Sequence, residues 1–118
     1  PDTPLNPVKL ALAYGASFVA RGYAGNPQGL KDIIKKAIQH KGFSFIHILT
    51  PCVTFDKENM TWKNLKENVY DLNLRKEKKN METAMRLAEN EPYGTGIFFQ
   101  DKKRLHYQEI LKTMNSEN

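Results

Sequence analysis

Residues 16–52, ASFVARGYAGNPQGLKDIIKKAIQHKGFSFIHILTPC, carry the pattern that decides the fold. Ala16–Ala20 is a short apolar run and reads as a buried strand. Gly22–Pro27 then turns the chain into a helix, with Asn26 as the cap and Pro27 as the first helical residue, where a missing N–H costs nothing. Leu30, Ile33, Ile34, Ala37 and Ile38 follow the i, i+3, i+4, i+7, i+8 spacing of one apolar face. Lys31, Lys35, Lys36 and Gln39 take the other face. This face is expected to pack on the sheet, so truncating Ile34 should cost as much as a core substitution. Gly42 is expected to end the helix as its C-terminal cap. Phe43–Leu49 follows as an unbroken apolar run, rich in β-branched and aromatic residues, between Gly42 and Pro51. Its length and flanks predict a buried, central strand. Strand, helix and strand in this order form a βαβ unit with parallel strands and a right-handed crossover.

Outward from this unit the signals weaken. Upstream, Asn6-Pro7 caps a short helix carrying Val8, Leu10, Ala11 and Leu12, and Gly15 ends it. Downstream of Cys52 the chain turns polar and charge-dense. A helix is expected from about Thr61 to Leu72, with Trp62, Leu65, Val69 and Leu72 as its apolar anchors. Arg75–Lys79 reads as a charged loop. Met81, Ala84, Met85 and Ala88 have helical spacing, Gly94–Phe99 reads as a turn and a short strand, and Leu105–Met114 as a closing helix. The fold class is therefore α/β: a βαβ core over residues 1–55, then an α-rich extension over residues 56–118.

The size, 118 residues, suits one modest domain or a piece of a larger one. With 40% hydrophobic and 26% charged residues the composition is that of a soluble globular protein. No apolar run approaches the length of a membrane span, and no export leader is evident. A single cysteine excludes an internal disulfide and fits a reducing, cytoplasmic setting. The first residue is Pro1, so the sequence is expected to begin inside a longer reading frame. A net charge of +5 favours acidic partners such as nucleic acid, an anionic cofactor or an acidic protein.

Few side chains announce chemistry. The Gly22–Gly29 turn brings glycines and a helix N-terminus after a strand, but it has neither GxGxxG nor GxxxxGK[ST] spacing, so a turn plus a cap is the better reading. Gly94-Thr95-Gly96 reads as a bend. His40, His47 and His106 are too scattered to form a metal set. His47 alternates with Ile46 and Ile48 and reads as a hydrogen-bonded structural histidine. His40, near a helix C-terminus, is placed for its charged form to meet the dipole. No catalytic triad or paired carboxylates appear, and Asp56 and Glu58 read as solvated. Arg75–Lys79 reads first as a hydrated loop, and second as a docking patch for an acidic partner. Cys52 lies just past the end of a parallel strand, where α/β sheets place their ligand sites. Composition alone makes it a partly buried structural thiol.

Three segments carry a resemblance: Gly15–Arg21 (GASFVAR), His40–Phe45 (HKGFSF) and Leu49–Phe55 (LTPCVTF). They resemble successive signatures of the beta subunits of 2-oxoacid:ferredoxin oxidoreductases, and Tyr93–Phe99 (YGTGIFF) is similar to that family's closing segment. The likeness implies the C-terminal half of a thiamine diphosphate-binding fold. It further implies an oxidative decarboxylation of a 2-oxoacid, 2-oxoglutarate first and pyruvate next. Coenzyme A would accept the acyl group, and a 4Fe-4S cluster would pass electrons to ferredoxin. An alpha subunit would be the partner. Cys52, after Pro51, matches the family's final cluster ligand. The family's GDG magnesium–diphosphate motif and its CxxC are not in this sequence and would precede Pro1. Thiamine diphosphate, magnesium and the cluster would therefore not be held by this segment alone. Arg104-Leu105-His106 departs from the family's frequent Arg-Pro. From another class, a small basic nucleic-acid-binding module accounts for the charge but not for the βαβ core, and a second alternative is a free-standing structural or adaptor domain that has lost the enzymatic context.

Overall fold

A computed structural model describes residues 5–51, 61–72 and 80–102. Helix α1 (Pro7–Ala13) starts where Asn6 accepts a hydrogen bond from the Lys9 amide, and the chain leaves it at Gly15, whose φ of 90° suits glycine. Strand β1 (Phe18–Tyr23) follows, then α2 (Pro27–Gln39), capped by Asn26, and β2 (Ser44–Leu49). The second part of the chain supplies α3 (Trp62–Asn68), β3 (Tyr70–Asp71), α4 (Met81–Asn90) and β4 (Gly94–Gln100).

The strands form one sheet in the order β2-β1-β4-β3. β1 and β2 are parallel, with Arg21 opposite His47, as a βαβ unit requires. β4 runs antiparallel to β1 on its other side, so the extension contributes strands to the same sheet as well as helices. The pairing slips between Val19 and Ala20 of β1, which face Phe99 and Ile97. This bulge turns the consecutive Phe98 and Phe99 to one face, where both join the main core. That core packs α1 and α4 on one side of the sheet through Val8, Leu12, Val19, Ala84, Ala88 and Phe98. Asn6 Nδ2 donates to the Ala88 carbonyl at 2.8 Å, and Lys9 pairs with Glu89, tying the two helices together. On the opposite face α2 covers Phe18, Ala20, Ile46 and Ile97.

Several expectations change. Among the described residues β2 is the end strand of the sheet, not a central one, and β1 takes the centre. α2 therefore has sheet under only part of its apolar face: Ala37 is buried, whereas Ile34 is 37% and Ile38 79% exposed. Core-level cost for Ile34→Ala no longer follows. Gly42 is not the helix cap either. The helix ends at Gln39 with His40 as C-cap, and Gly42 lies beyond it at φ 141°. The Thr61–Leu72 helix stops at Asn68, because Tyr70 and Asp71 pair with Gly94 and Thr95 as a two-residue parallel strand. Gly94-Thr95-Gly96 is the start of β4 rather than a bend. Arg75–Lys79 and Leu105–Met114 lie outside the described residues.

Burial ranks the side chains. Phe98, 1% exposed at the centre of the main core, is expected to cost about 3–5 kcal/mol when cut to alanine. Ile38→Ala should cost less than about 0.5 kcal/mol, the level of a surface change. Chemical denaturation of the two variants checks this order, and equal losses would show that the bulge does not set the core.

Candidate functional site

Parallel strands bring their carboxyl ends to one edge, where open α/β sheets collect ligand sites. Here that edge is built from the Arg21–Tyr23 end of β1 and the His47–Leu49 end of β2. The Ala24 amide donates to the Leu49 carbonyl at 3.0 Å, carrying the pairing past the last strand residue. Thr50 and Pro51 then lead to Cys52, which lies outside the described residues, as do Asp56 and Glu58. The described chain resumes at Thr61, and Trp62 packs on Tyr23 with ring centroids 6.3 Å apart. Both flanks of residues 52–60 thus stand at the carboxyl edge.

The strongest polar feature beneath this edge is Arg21, 2% exposed within an apolar strand. Its Nε donates to His47 Nδ1 at 3.1 Å, and its Nη1 donates to the carbonyls of Glu91 at 2.7 Å and Gly94 at 3.2 Å. The guanidinium lies over the Phe98 ring, 5.0 Å from its centroid. Burial lowers the Arg21 pKa to about 10, which leaves it charged at neutral pH. His47 is pushed down to about 4, first by burial and then by the Arg21 charge. Its Nδ1 accepts from Arg21, so the neutral ring carries its proton on Nε2. The expectation of a hydrogen-bonded structural histidine therefore holds. Arg21 itself was not picked out as a supporting residue. The available signal was a lone charge inside the apolar run FVARGY.

A cleft of about 340 Å³ opens beside the edge, between α2 and the β3–β4 pair. Gly22, Asn26, Asp32, Tyr70 and Thr95 contribute to its walls. The first helical amides of α2 face Asn26, whose side chain accepts from the Gly29 N–H at 3.1 Å. The cap thus takes up an amide that a phosphate would need, in keeping with a turn plus a cap. His40 lies at the opposite edge. Its Nε2 and Ser17 Oγ are 2.8 Å apart, and its ring meets Phe18 at 5.5 Å. Burial lowers its pKa, against Asp101, which raises it, and with Lys102, which lowers it further. The charged form is therefore disfavoured there, contrary to the helix-dipole expectation. His106 lies outside the described residues. Among the described residues no three His, Cys, Asp or Glu side chains gather to hold a metal ion, and no helix is long and apolar enough to cross a membrane.

This α/β sheet belongs to the C-terminal part of a thiamine diphosphate-binding fold: residues 1–48 match the family model described as "Thiamine pyrophosphate enzyme, C-terminal TPP binding domain". Residues 52–116 match the family model for the C-terminal part of the pyruvate ferredoxin oxidoreductase beta subunit. The chain belongs to the family of 2-oxoacid:ferredoxin oxidoreductase beta subunits. It is 32% identical to the 2-oxoacid:ferredoxin oxidoreductase subunit beta of a Sulfolobus species, over 92% of this chain and 39% of that protein. To the 2-oxoglutarate synthase subunit KorB of Archaeoglobus fulgidus it is 42% identical, over 57% of this chain and 26% of that protein. The structure of a 2-oxoglutarate:ferredoxin oxidoreductase from Magnetococcus marinus, with 2-oxoglutarate, coenzyme A and succinyl-CoA bound, superposes with a TM-score of 0.83 at 28% identity. That match covers 99% of this chain and 40% of the neighbour. The chain thus spans well under half the length of these relatives.

The Arg21–His47 pair makes a pH prediction. The folded pKa of His47 lies below its ordinary 6.5, so the unfolded chain binds more protons between about 6.5 and 4. The stability held by neutral His47 is complete above that window and is lost as pH falls through it. His47→Gln keeps an acceptor for Arg21 and removes the titration. Thermal melting across the window should therefore show a shallower acid loss for the variant than for the wild type. Equal slopes would mean that His47 is not held neutral.

Proposed function

We propose that this chain is a segment of the beta subunit of a thiamine diphosphate-dependent 2-oxoacid:ferredoxin oxidoreductase. In this reading the assembled enzyme oxidatively decarboxylates a 2-oxoacid to its acyl-CoA, and electrons leave through a 4Fe-4S cluster to ferredoxin. 2-Oxoglutarate is the favoured substrate and pyruvate the next. The KorB name of the Archaeoglobus relative and the 2-oxoglutarate in the solved neighbour support that order. An alpha subunit is the structural partner and the cytoplasm the setting. The two halves, residues 1–55 and 56–118, correspond to the thiamine diphosphate-binding part and the beta-subunit extension, and the family matches at 1–48 and 52–116 favour a boundary there.

The observation that carries this reading is the path of β2. The strand brings the chain to the carboxyl edge at Thr50 and the rigid Pro51, and Cys52 is the next residue in sequence. Below that edge Arg21 fixes β2 through His47 and fixes the Glu91–Gly94 turn through two carbonyls. A thiolate is the donor that an iron–sulfur cluster takes, and the cluster would supply one-electron transfer. Cys52 would give one ligand of four. The family's GDG motif, which would hold magnesium and the cofactor's diphosphate, is not in this sequence. The role of the described residues is to hold the sheet edge and the chain that leaves it. The nucleic-acid reading draws on net charge alone.

The test is Cys52→Ser in the whole beta subunit. Iron and sulfide content and the visible absorption of the cluster should fall, while far-ultraviolet circular dichroism stays unchanged. Full cluster content in the serine variant would remove Cys52 from the ligand set. For the assembled enzyme, a higher kcat/KM on pyruvate than on 2-oxoglutarate would overturn the substrate order.

A further inference from the structure

A second cleft, of about 480 Å³, lies at the other end of the sheet, where α2 ends and β4 leaves. It falls within the size range of small-molecule sites. Three lysines meet there from two elements distant in sequence: Lys36 and Lys41 from α2 and its exit, and Lys102 from just past β4. Gln39 and Gln100 add amides, and Ile97 gives an apolar floor. No carboxylate is among the described lining residues, although Asp101 stands next to Lys102 and acts on His40.

The wall that carries two of these lysines is fastened to the sheet. Ser17 Oγ meets His40 Nε2 at 2.8 Å, and the His40 ring packs on Phe18. Ser44 Oγ donates to the Ala37 carbonyl at 2.9 Å, satisfying one acceptor at the end of α2. Gly42, at φ 141°, passes so close to Ser17 Oγ that a Cβ there would collide with it. The backbone that carries Lys36 and Lys41 is thus ordered before a ligand arrives, which lowers the cost of binding it. The six residues of β1 span about 20 Å between the amino and carboxyl edges of the sheet, at about 3.3 Å per residue.

We propose that this cleft binds the oligophosphate group of a small organic ligand, with Lys36, Lys41 and Lys102 as its cationic contacts. Lysine is a mobile point charge suited to phosphate oxygens, and three of them around one cleft match a charge spread over two or more phosphates. The Gln39 and Gln100 amides can donate to the same oxygens, and Ile97 offers apolar contact to the organic part. The site is independent of the Cys52 reading.

The test is a titration of the whole, isotopically labelled beta subunit with ADP, pyrophosphate and orthophosphate, followed by backbone amide shifts. ADP and pyrophosphate should saturate shifts around His40–Gly42, Ile97 and Gln100–Lys102, each at least about tenfold tighter than orthophosphate. Lys36→Gln with Lys102→Gln should weaken ADP by at least about tenfold. Lys31→Gln with Lys35→Gln, which removes the same total charge but from the part of α2 outside the cleft, should change it little. Equal affinity for orthophosphate, equal loss in both double variants, or no saturation by about 10 mM would overturn the proposal. Tighter binding of polyglutamate than of ADP would also overturn it, and would assign the face to an acidic protein.

Discussion

One buried arginine joins the two parts of this molecule. Arg21 sits in the central strand, reaches sideways to His47 of β2, and grips two carbonyls of the turn that begins β4. A charge in such a place is costly unless its donors are satisfied, and removing its partners would leave that cost exposed. The sheet order follows the same logic. β4 must enter antiparallel beside β1 for the Glu91–Gly94 carbonyls to reach the guanidinium, and the bulge then turns Phe98 beneath it. Hydrogen bonds to a charged group contribute about 1.5–3 kcal/mol each, a large share of the stability of so small a sheet.

Local chemistry made half of this legible in the sequence. Asn26-Pro27 and Asn6-Pro7 cap helices through contacts three residues apart, and β1, α2 and β2 follow from apolar spacing and glycine punctuation. What stayed hidden is non-local. Nothing within Gly94–Gln100 says that it will lie between β1 and β3, because that choice depends on residues some 70 positions upstream. The bulge that turns Phe98 and Phe99 to one face is equally invisible to a period-of-two reading. The apolar face of α2 is legible as a pattern, yet only part of it, Ile33 and Ala37, joins the core. Ile38 has the right spacing, yet the described sheet ends at β2 and leaves it exposed. Arg21 went unnoticed because a charged residue in a strand usually marks a solvated face.

The candidate site divides the same way. Cys52 stood out as the one cysteine, placed after a strand and a proline, and family resemblance gave it a role that spacing alone could not. The supporting pair Arg21–His47 needed the register of β1 on β2, which brings residues 26 positions apart to 3.1 Å. The sheet thus has two differently equipped ends. Its carboxyl edge is stiffened by buried hydrogen bonds where the Cys52 segment leaves, and its amino edge gathers surface lysines around a fastened helix end.

The central claim is that the βαβ unit and the later β4 form one cooperative sheet clamped by Arg21. Native-state hydrogen exchange at the amides of β1 and β4 tests it most directly. The account predicts that Val19, Ala20 and Phe99 exchange together through the same global opening, and that Arg21→Met lowers their protection in parallel. Earlier exchange of β4, with β1 protection intact, would mean that the two segments are separately folded and would contradict the clamp.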